Sequence, residues 1–410
     1  MNRLVTLAFV WMLAALPAAA AEGLKGKIMC GYQGWFNCEG DGAKLGWTHW
    51  ARHRNRLFAP GNVTVDLWPD MSEYGTEERF TTGFKNADGS PAEVFSSFKE
   101  ETVVRHFRWM REYGIDGAFV QRFANGLRPG RNRDHKDAVL RHCRKGAKLA
   151  NRVYAVMYDL SGLRKGGTAI VREDWQRLRK QMLVDKDAAY LRHEGKPLVA
   201  VWGIGFSDDR DYTLAECREL IEFLKDDGCA VMLGVPSWWR EGRRDAVADP
   251  TLRKVIALAD VVSPWSVGRY QSPVQAARHA EKVWRPDITW CRERKIDFLP
   301  VVFPGFSWSN LTGEKLGKIP RLKGQFLWSQ LVAAKRSGAE MIYVAMFDEV
   351  DEGTAIFKCT NHPPRDANTK FLDYEGLPSD FYLRLTGAGG KMLRGEIPLT
   401  DTLPALTEKR

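Results

Sequence analysis

Eight short apolar runs recur along the chain, and each but the last is followed by a helix-length amphipathic stretch before the next run begins. The runs are residues 27–36, 114–123, 153–159, 197–203, 230–235, 260–263, 297–303 and 341–347. The helical stretches are 102–113, 136–149, 172–183, 214–225, 251–258, 274–292 and 322–337. In the first of these, Val103, Val104, Phe107 and Met110 share one face. The runs are continuously apolar rather than alternating, as strands of a parallel sheet covered on both faces are. Such strict alternation predicts an α/β fold, a single (β/α)8 (TIM) barrel, with a doubly wound open sheet as the alternative. No Gly-x-Gly-x-x-Gly or Walker segment follows a run, which weakens the nucleotide-binding form of that alternative. Residues 37–97 form a long aromatic insertion after the first strand, without helix periodicity, and insertions of that length tend to be functional. The barrel is expected over residues 22–356. An extension over 357–410, with a Pro-rich turn and a short helix at 379–393, is expected to pack on its outside.

Residues 1–21 read differently. Arg3 precedes an unbroken apolar run, residues 4–16, then Pro17 and small residues ending in an Ala-x-Ala site at Ala20 or Ala21. That is a cleaved secretory signal peptide, too short to span a bilayer comfortably, and it predicts a secreted or periplasmic protein without membrane insertion. The net charge of +10 becomes +9 once Arg3 is removed (+10 − 1). A basic balance suits acidic partners, but the basic residues are dispersed and no nucleic-acid motif is present, so no nucleic-acid partner is expected. The seven Cys have neither C-x-x-C nor Cys/His zinc spacing, Cys30 and Cys229 sit in strand-like runs as buried thiols, and Cys30 with Cys38 is a pair that export would permit. Neither a metal nor another cofactor is expected, and the oligomeric state is left open.

The last run, 341–347, ends in four carboxylates within five residues: Asp348, Glu349, Asp351 and Glu352, followed by Gly353 and Thr354. In a barrel, functional side chains come from the carboxyl ends of different strands. Those ends supply Tyr32, Gln33 and Trp35; Gln121 and Arg122; Tyr158 and Asp159; Trp202; Trp238 and Trp239; Trp265; and Phe303, Phe306 and Trp308. His49 and Trp50 in the insertion join them. Rings with hydrogen-bonding tips, amides and carboxylates suit flat, hydroxyl-rich ligands, of which sugars are the obvious class. The alternative for Arg122 is an ion pair with Asp116 or Asp159 inside the barrel. With no His-Glu-x-x-His and no Gly-x-Ser-x-Gly, carboxylate chemistry remains, and glycoside hydrolysis needs two carboxyl groups of different pKa. On an extended strand Glu349 and Glu352 would face opposite ways, but a turn beginning near Asp348 brings them to one side. Asp348 and Asp351 then serve as support.

The run Glu349-Val-Asp-Glu352-Gly-Thr354 resembles the Glu-x-x-Glu-Gly-Thr catalytic segment of glycoside hydrolase family 99, the endo-α-mannanase and endomannosidase family. Gly31-Tyr-Gln-Gly-Trp-Phe36 and His49-Trp50 are similar to the aromatic opening of that family and its relative, family 71. The resemblance in layout covers most of the chain beyond the signal. It implies a retaining hydrolase of α-linked glycans, in which Glu349 is a base on the sugar 2-hydroxyl, giving a 1,2-anhydro sugar, and Glu352 is the acid/base at the leaving group. Two departures stand out: the family has Trp-His between the glutamates and Asn before the first, where this chain has Val350-Asp351 and Asp348. The function expected is therefore a secreted glycoside hydrolase acting on an oligo- or polysaccharide, mannan-like or related. The alternative is a non-catalytic glycan-binding protein on the same barrel.

Overall fold

The computed structural model describes residues 23–406, so the expected signal peptide lies outside the described residues. In chain order the strands are β1 (Ile28–Tyr32), β2 (Arg79–Lys85), β3 (Pro91–Phe95), β4 (Gly117–Phe123), β5 (Val153–Asp159), β6 (Arg192–His193), β7 (Lys196–Trp202), β8 (Ala230–Pro236), β9 (Val261–Trp265), β10 (Asp297–Phe298), β11 (Val301–Val302) and β12 (Ile342–Val344). Nine of them form a curled parallel sheet in the order β10-β9-β8-β7-β5-β4-β1-β12-β11, with the two-residue β6 antiparallel to β7. The register puts Cys30 of β1 beside Val344 of β12 on one side and Ala118 of β4 on the other.

The seventh apolar run departs from expectation, because it is broken. Its first half, β10, pairs with β9, and its second half, β11, pairs with β12. Pro300 sits between them and has no N–H for a ladder; its carbonyl instead accepts from Tyr343 N at 3.0 Å. Residues 297–302 thus bond to β9 at one end and β12 at the other, so the sheet curls until both its edges meet the same stretch of chain.

Helices cover the outer face: α1 (Glu100–Tyr113), α2 (Arg131–Ala150), α3 (Ala169–Arg177), α4 (Leu214–Asp226), α5 (Leu252–Ile256), α6 (Pro273–His279), α7 (Arg285–Arg292), and, after the one-turn α8 (Ser309–Thr312) in the loop past β11, α9 (Gln325–Arg336) and α10 (Phe381–Leu393). The stretch expected as one helix over 274–292 widens into a π turn, Ala280–Trp284, between α6 and α7. Pro286, two residues past the turn, has no N–H to donate to the carbonyl of Lys282 four residues back. The final helix, α10, lies hard against α1. A Cβ on Gly387 would stand 1.8 Å from the Tyr113 carbonyl oxygen, so only glycine permits this approach.

The insertion contains a regular element that the sequence did not announce, the antiparallel hairpin β2–β3. Thr82 and Phe84 turn inward, and Phe84 meets Phe58 and Trp68 with ring centroids 5.2 and 5.4 Å apart. All seven cysteines are buried and unpaired, Cys30 and Cys38 included.

Candidate active site

The acids after β12 leave extended geometry at once and enter a turn. The amides of Thr354 and Ala355 donate back to the Glu349 carbonyl at 3.1 and 3.0 Å. Gly353 closes the turn at φ +62°, where a Cβ would stand 3.0 Å from Ser307. Other elements hold the outside of the turn. Asp66 N and Leu67 N, from the insertion, donate to Val350 O at 2.9 and 3.3 Å, and Ser307 N donates to Glu352 O at 2.9 Å. Asp66 also accepts from the Ser307 hydroxyl (2.5 Å), Ser309 N (2.7 Å) and Asn310 N (2.8 Å), tying the insertion to the loop after β11.

The four carboxylates have separate surroundings. Glu349, 3% exposed, accepts from Gln33 Nε2 at 2.5 Å and from the Thr354 hydroxyl at 2.7 Å. Asp348 accepts the backbone N–H groups of Gln33 and Gly34, both at 2.8 Å, and so fixes the end of β1 from which Gln33 reaches Glu349. Asp351 accepts from His49 Nδ1 at 3.0 Å. The Trp308 indole N–H lies near enough to Glu352 to favour its charged form, yet falls short of a formed hydrogen bond. Burial pushes Glu349 well above the ordinary carboxylate range, and the charges of Glu352 and Asp351 add to that. Burial and the Asp351 charge push Glu352 up to about 8. Asp348 is pushed up to about 7, mainly by burial.

Glu349 and Glu352 open into a cavity of about 480 Å³. Of the residues expected from the sequence, Gln33, Trp35, Gln121, Asp159, Trp202, Trp265 and Phe306 line it too. His49 stands behind Trp35 with the two rings stacked at 3.8 Å, and Asp351 and Asp348 lie buried beneath. The polar atoms Gln33 Oε1, Gln121 Oε1 and the indole nitrogens of Trp35 and Trp202 are buried without hydrogen-bond partners.

Several expected residues do not line this cavity, Tyr158, Trp239 and Phe303 among them, all buried in the core. On a strand successive side chains face opposite sides, and this decides two others. Gln121 points inward to the Tyr343 hydroxyl (3.2 Å), so its neighbour Arg122 points outward. There Arg122, fully buried, pairs with Asp174 of α3 (2.9 Å) and Asp137 of α2 (3.0 Å), not with Asp116 or Asp159. Tyr32 likewise turns outward, its hydroxyl 2.9 Å from His106 Nδ1 on α1. Trp50 is fully buried among the insertion's rings and donates its indole N–H to Phe95 O at 3.2 Å. Trp238 is packed under Arg244, whose guanidinium carbon lies 4.4 Å above the ring. Trp308, another of the expected strand-end rings, lines the cavity as well, and so do Phe123, Ser161, Arg269, Glu314 and Lys318, which no sequence signal marks. Most of these sit in loops past the strand ends, where no periodicity marks them.

A larger groove, about 770 Å³, runs between the β2–β3 turn and residues 361–373 and contains none of the turn carboxylates. Among the described residues, no group of three or more His, Cys, Asp or Glu is arranged to hold a metal ion, and no helix is long and apolar enough to cross a membrane.

A curled parallel sheet with helices outside and side chains gathered at its carboxyl end is the layout of α/β barrels. In fold the chain is similar to a family 99 glycoside hydrolase. It superposes on the GH99 endo-alpha-mannosidase from Bacteroides thetaiotaomicron with a TM-score of 0.66 and 18% identity, covering 91% of this chain and 98% of that one. A glycoside hydrolase-like protein gives 0.55 at 12% identity, over 92% and 97% of the two chains. In sequence, 109 residues are 29% identical to the glycoprotein endo-alpha-1,2-mannosidase of Rattus norvegicus and 30% to that of Mus musculus. That match is 25% of this chain and spans only 22% of the length of each relative. No family model matches the chain.

Proposed function

We propose that this protein is an exported glycoside hydrolase that cleaves α-linked, mannan-type glycans with retention, on a closed (β/α)8 barrel whose chemistry rests on Glu349 and Glu352. The observation that carries this reading is the asymmetry of the pair. Burial and mutual repulsion raise both carboxyls, so the pair is not doubly ionised near neutral pH. Glu349 alone has two donors, Gln33 and Thr354, which stabilise it as the anion. Glu352, which lacks such donors, is assigned the proton on that hydrogen-bond difference. The anion removes the proton of the sugar 2-hydroxyl while O2 attacks C1 from the face opposite the leaving group. Glu352 protonates the departing oxygen, and a 1,2-anhydro sugar is left. Water, deprotonated by Glu352, then opens the ring at C1, and O2 recovers its proton from Glu349. Two inversions give net retention.

The cavity's own charges favour a neutral glycan, despite the basic chain as a whole. Its acids are Asp159, Glu314, Glu349 and Glu352; its bases are Arg269 and Lys318. Both bases are already paired, Arg269 with Asp245 at 2.6 Å and Lys318 with Glu314 at 3.0 Å. The test is a screen for new reducing ends. Neutral α-mannans and α-mannosides are expected to be cleaved, and sulfated or uronic-acid glycans to be left intact. Release from none of the α-linked glycans would overturn the reading.

Asp351, one of the two departures from the family pattern, gives a second expected result. Its charge helps raise Glu352, so Asp351→Asn lowers the Glu352 pKa. An acid must be protonated to act, so the wild-type rate falls as pH rises through about 8. In Asp351→Asn the alkaline limb of the pH–rate profile moves to lower pH. An unmoved limb would mean that Glu352 is not the acid.

A further inference from the structure

The turn that carries the two glutamates is gripped from below by a buried arginine that no carboxylate neutralises. Arg321, 4% exposed, donates through Nη2 to Gly353 O at 2.9 Å and to Ala355 O at 2.7 Å. Its Nε and Nη1 are buried and make no hydrogen bond, and among the described residues it forms no ion pair. The guanidinium lies between two rings of the C-terminal segment, 4.9 Å from the centroid of Tyr374 and 4.5 Å from that of Tyr382. Tyr374 continues the grip: its hydroxyl donates to Ala355 O at 3.2 Å and to Phe357 O at 2.6 Å.

Burying an unpaired cation is costly, and it persists only where something specific compensates. Here the compensation is two ring faces and two carbonyls, and both carbonyls lie just past Glu352. Arg321 also stands at the foot of the loop that brings Phe306 and Trp308 to the cavity, which is closed by Phe306 N to Ile319 O and Ile319 N to Phe306 O, both 3.0 Å. Its stem fills the space beside Gly305, where a Cβ would lie 2.7 Å from Arg321 Cγ. One side chain thus joins the cavity loop, the acid-bearing turn and the C-terminal segment.

We propose that Arg321 is a positioning residue for the Glu349/Glu352 pair, held in place by Tyr374 and Tyr382, so that the segment beyond residue 370 is part of the catalytic apparatus rather than an appendage. The proposal rests on the glycosidase reading for its kinetic consequences but not for its structural ones. Arg321→Met removes both carbonyl bonds and the ring-stacked charge; Tyr374→Phe removes only the hydroxyl's two bonds. Misplacing catalytic groups by about 1 Å costs on the order of 100-fold in rate. Arg321→Met is therefore expected to lower kcat by roughly 10- to 100-fold with KM little changed, and Tyr374→Phe by less.

The deciding experiment measures three things on the full-length protein: kcat and KM on α-mannan, recovery of Arg321→Met by added guanidinium at non-denaturing concentrations, and hydrogen exchange of the amides of residues 353–355. Lower kcat, partial recovery with guanidinium and faster exchange in that turn support the proposal. Wild-type kcat in folded Arg321→Met, or unchanged exchange in the turn, overturns it. If Arg321→Met does not fold, Tyr374→Phe carries the same comparison. If the wild type releases no reducing ends, the glycosidase reading fails, and the exchange arm still decides the positioning role.

Discussion

Glu352→Gln is expected to abolish turnover of α-mannan while raising the melting temperature. Loss of a general acid costs about 10²- to 10⁴-fold in rate, and Glu349→Gln should be as inactive on the natural glycan. An aryl α-glycoside separates the two roles, because a good leaving group departs without protonation. Glu352→Gln is expected to recover the first step on such a substrate, whereas Glu349→Gln, lacking the base that activates O2, is not. The stability effect follows from linkage. Burial holds the Glu352 pKa at about 8 in the folded protein, well above its value of about 4.3 in an unfolded chain. Its contribution to stability is therefore present in full below the unfolded value and is lost as pH rises through about 8. Gln carries no charge at any pH, and the Trp308 indole N–H forms no hydrogen bond to Glu352 that the change would break. The variant should melt above wild type at pH 8 and converge with it near pH 4. A lower melting temperature at pH 8 would mean that Glu352 ionises without cost, and the assignment of the proton to it would fall.

Much of this arrangement is legible in the amino-acid sequence. Continuous apolar runs located the strands of the curled sheet, since a strand buried on both faces has no polar side to blur it. The strand-end rule gathers most of the residues around the cavity: Gln33, Trp35, Gln121, Asp159, Trp202, Trp265, Phe306, Trp308 and the two glutamates. What the rule lacked was the period of two within each strand. Tyr32 and Arg122 sit at strand ends but one residue out of phase with the cavity, so they face α1 and the α2/α3 pair instead. The β2–β3 hairpin escaped notice because Gly83 and the flanking charges dilute its alternation of Phe80, Thr82 and Phe84. Arg321 was invisible for a different reason. Its partners are carbonyls of residues 353 and 355 and rings of residues 374 and 382, brought together only by the fold.

Arg122→Met is expected to be the most destabilising of the substitutions considered, with little direct effect on the cavity. Arg122 is fully buried, and its Nε and Nη2 bond Asp174 at 3.0 and 2.9 Å while Nη2 also bonds Asp137 at 3.0 Å. The Tyr158 hydroxyl donates to Asp174 at 2.9 Å, and Arg177 bonds both acids, so two arginines and two aspartates form one network between β4, α2 and α3. Methionine fills much of the volume but leaves two carboxylates to share one cation. Removing one partner of a buried pair costs about 3 to 5 kcal/mol, and because Arg177 remains, the lower end applies, about 3 kcal/mol. The midpoint of urea unfolding is the measurement. Arg122→Lys should recover only part of the loss, since an ammonium cannot reproduce the fork that meets Asp174 twice. Arg122→Met combined with Asp174→Asn should be more stable than Arg122→Met alone, because the second change removes the charge that the first stranded. If the double variant is instead less stable by the sum of the two single losses, the pair is not coupled, and the network is held together by packing rather than by charge.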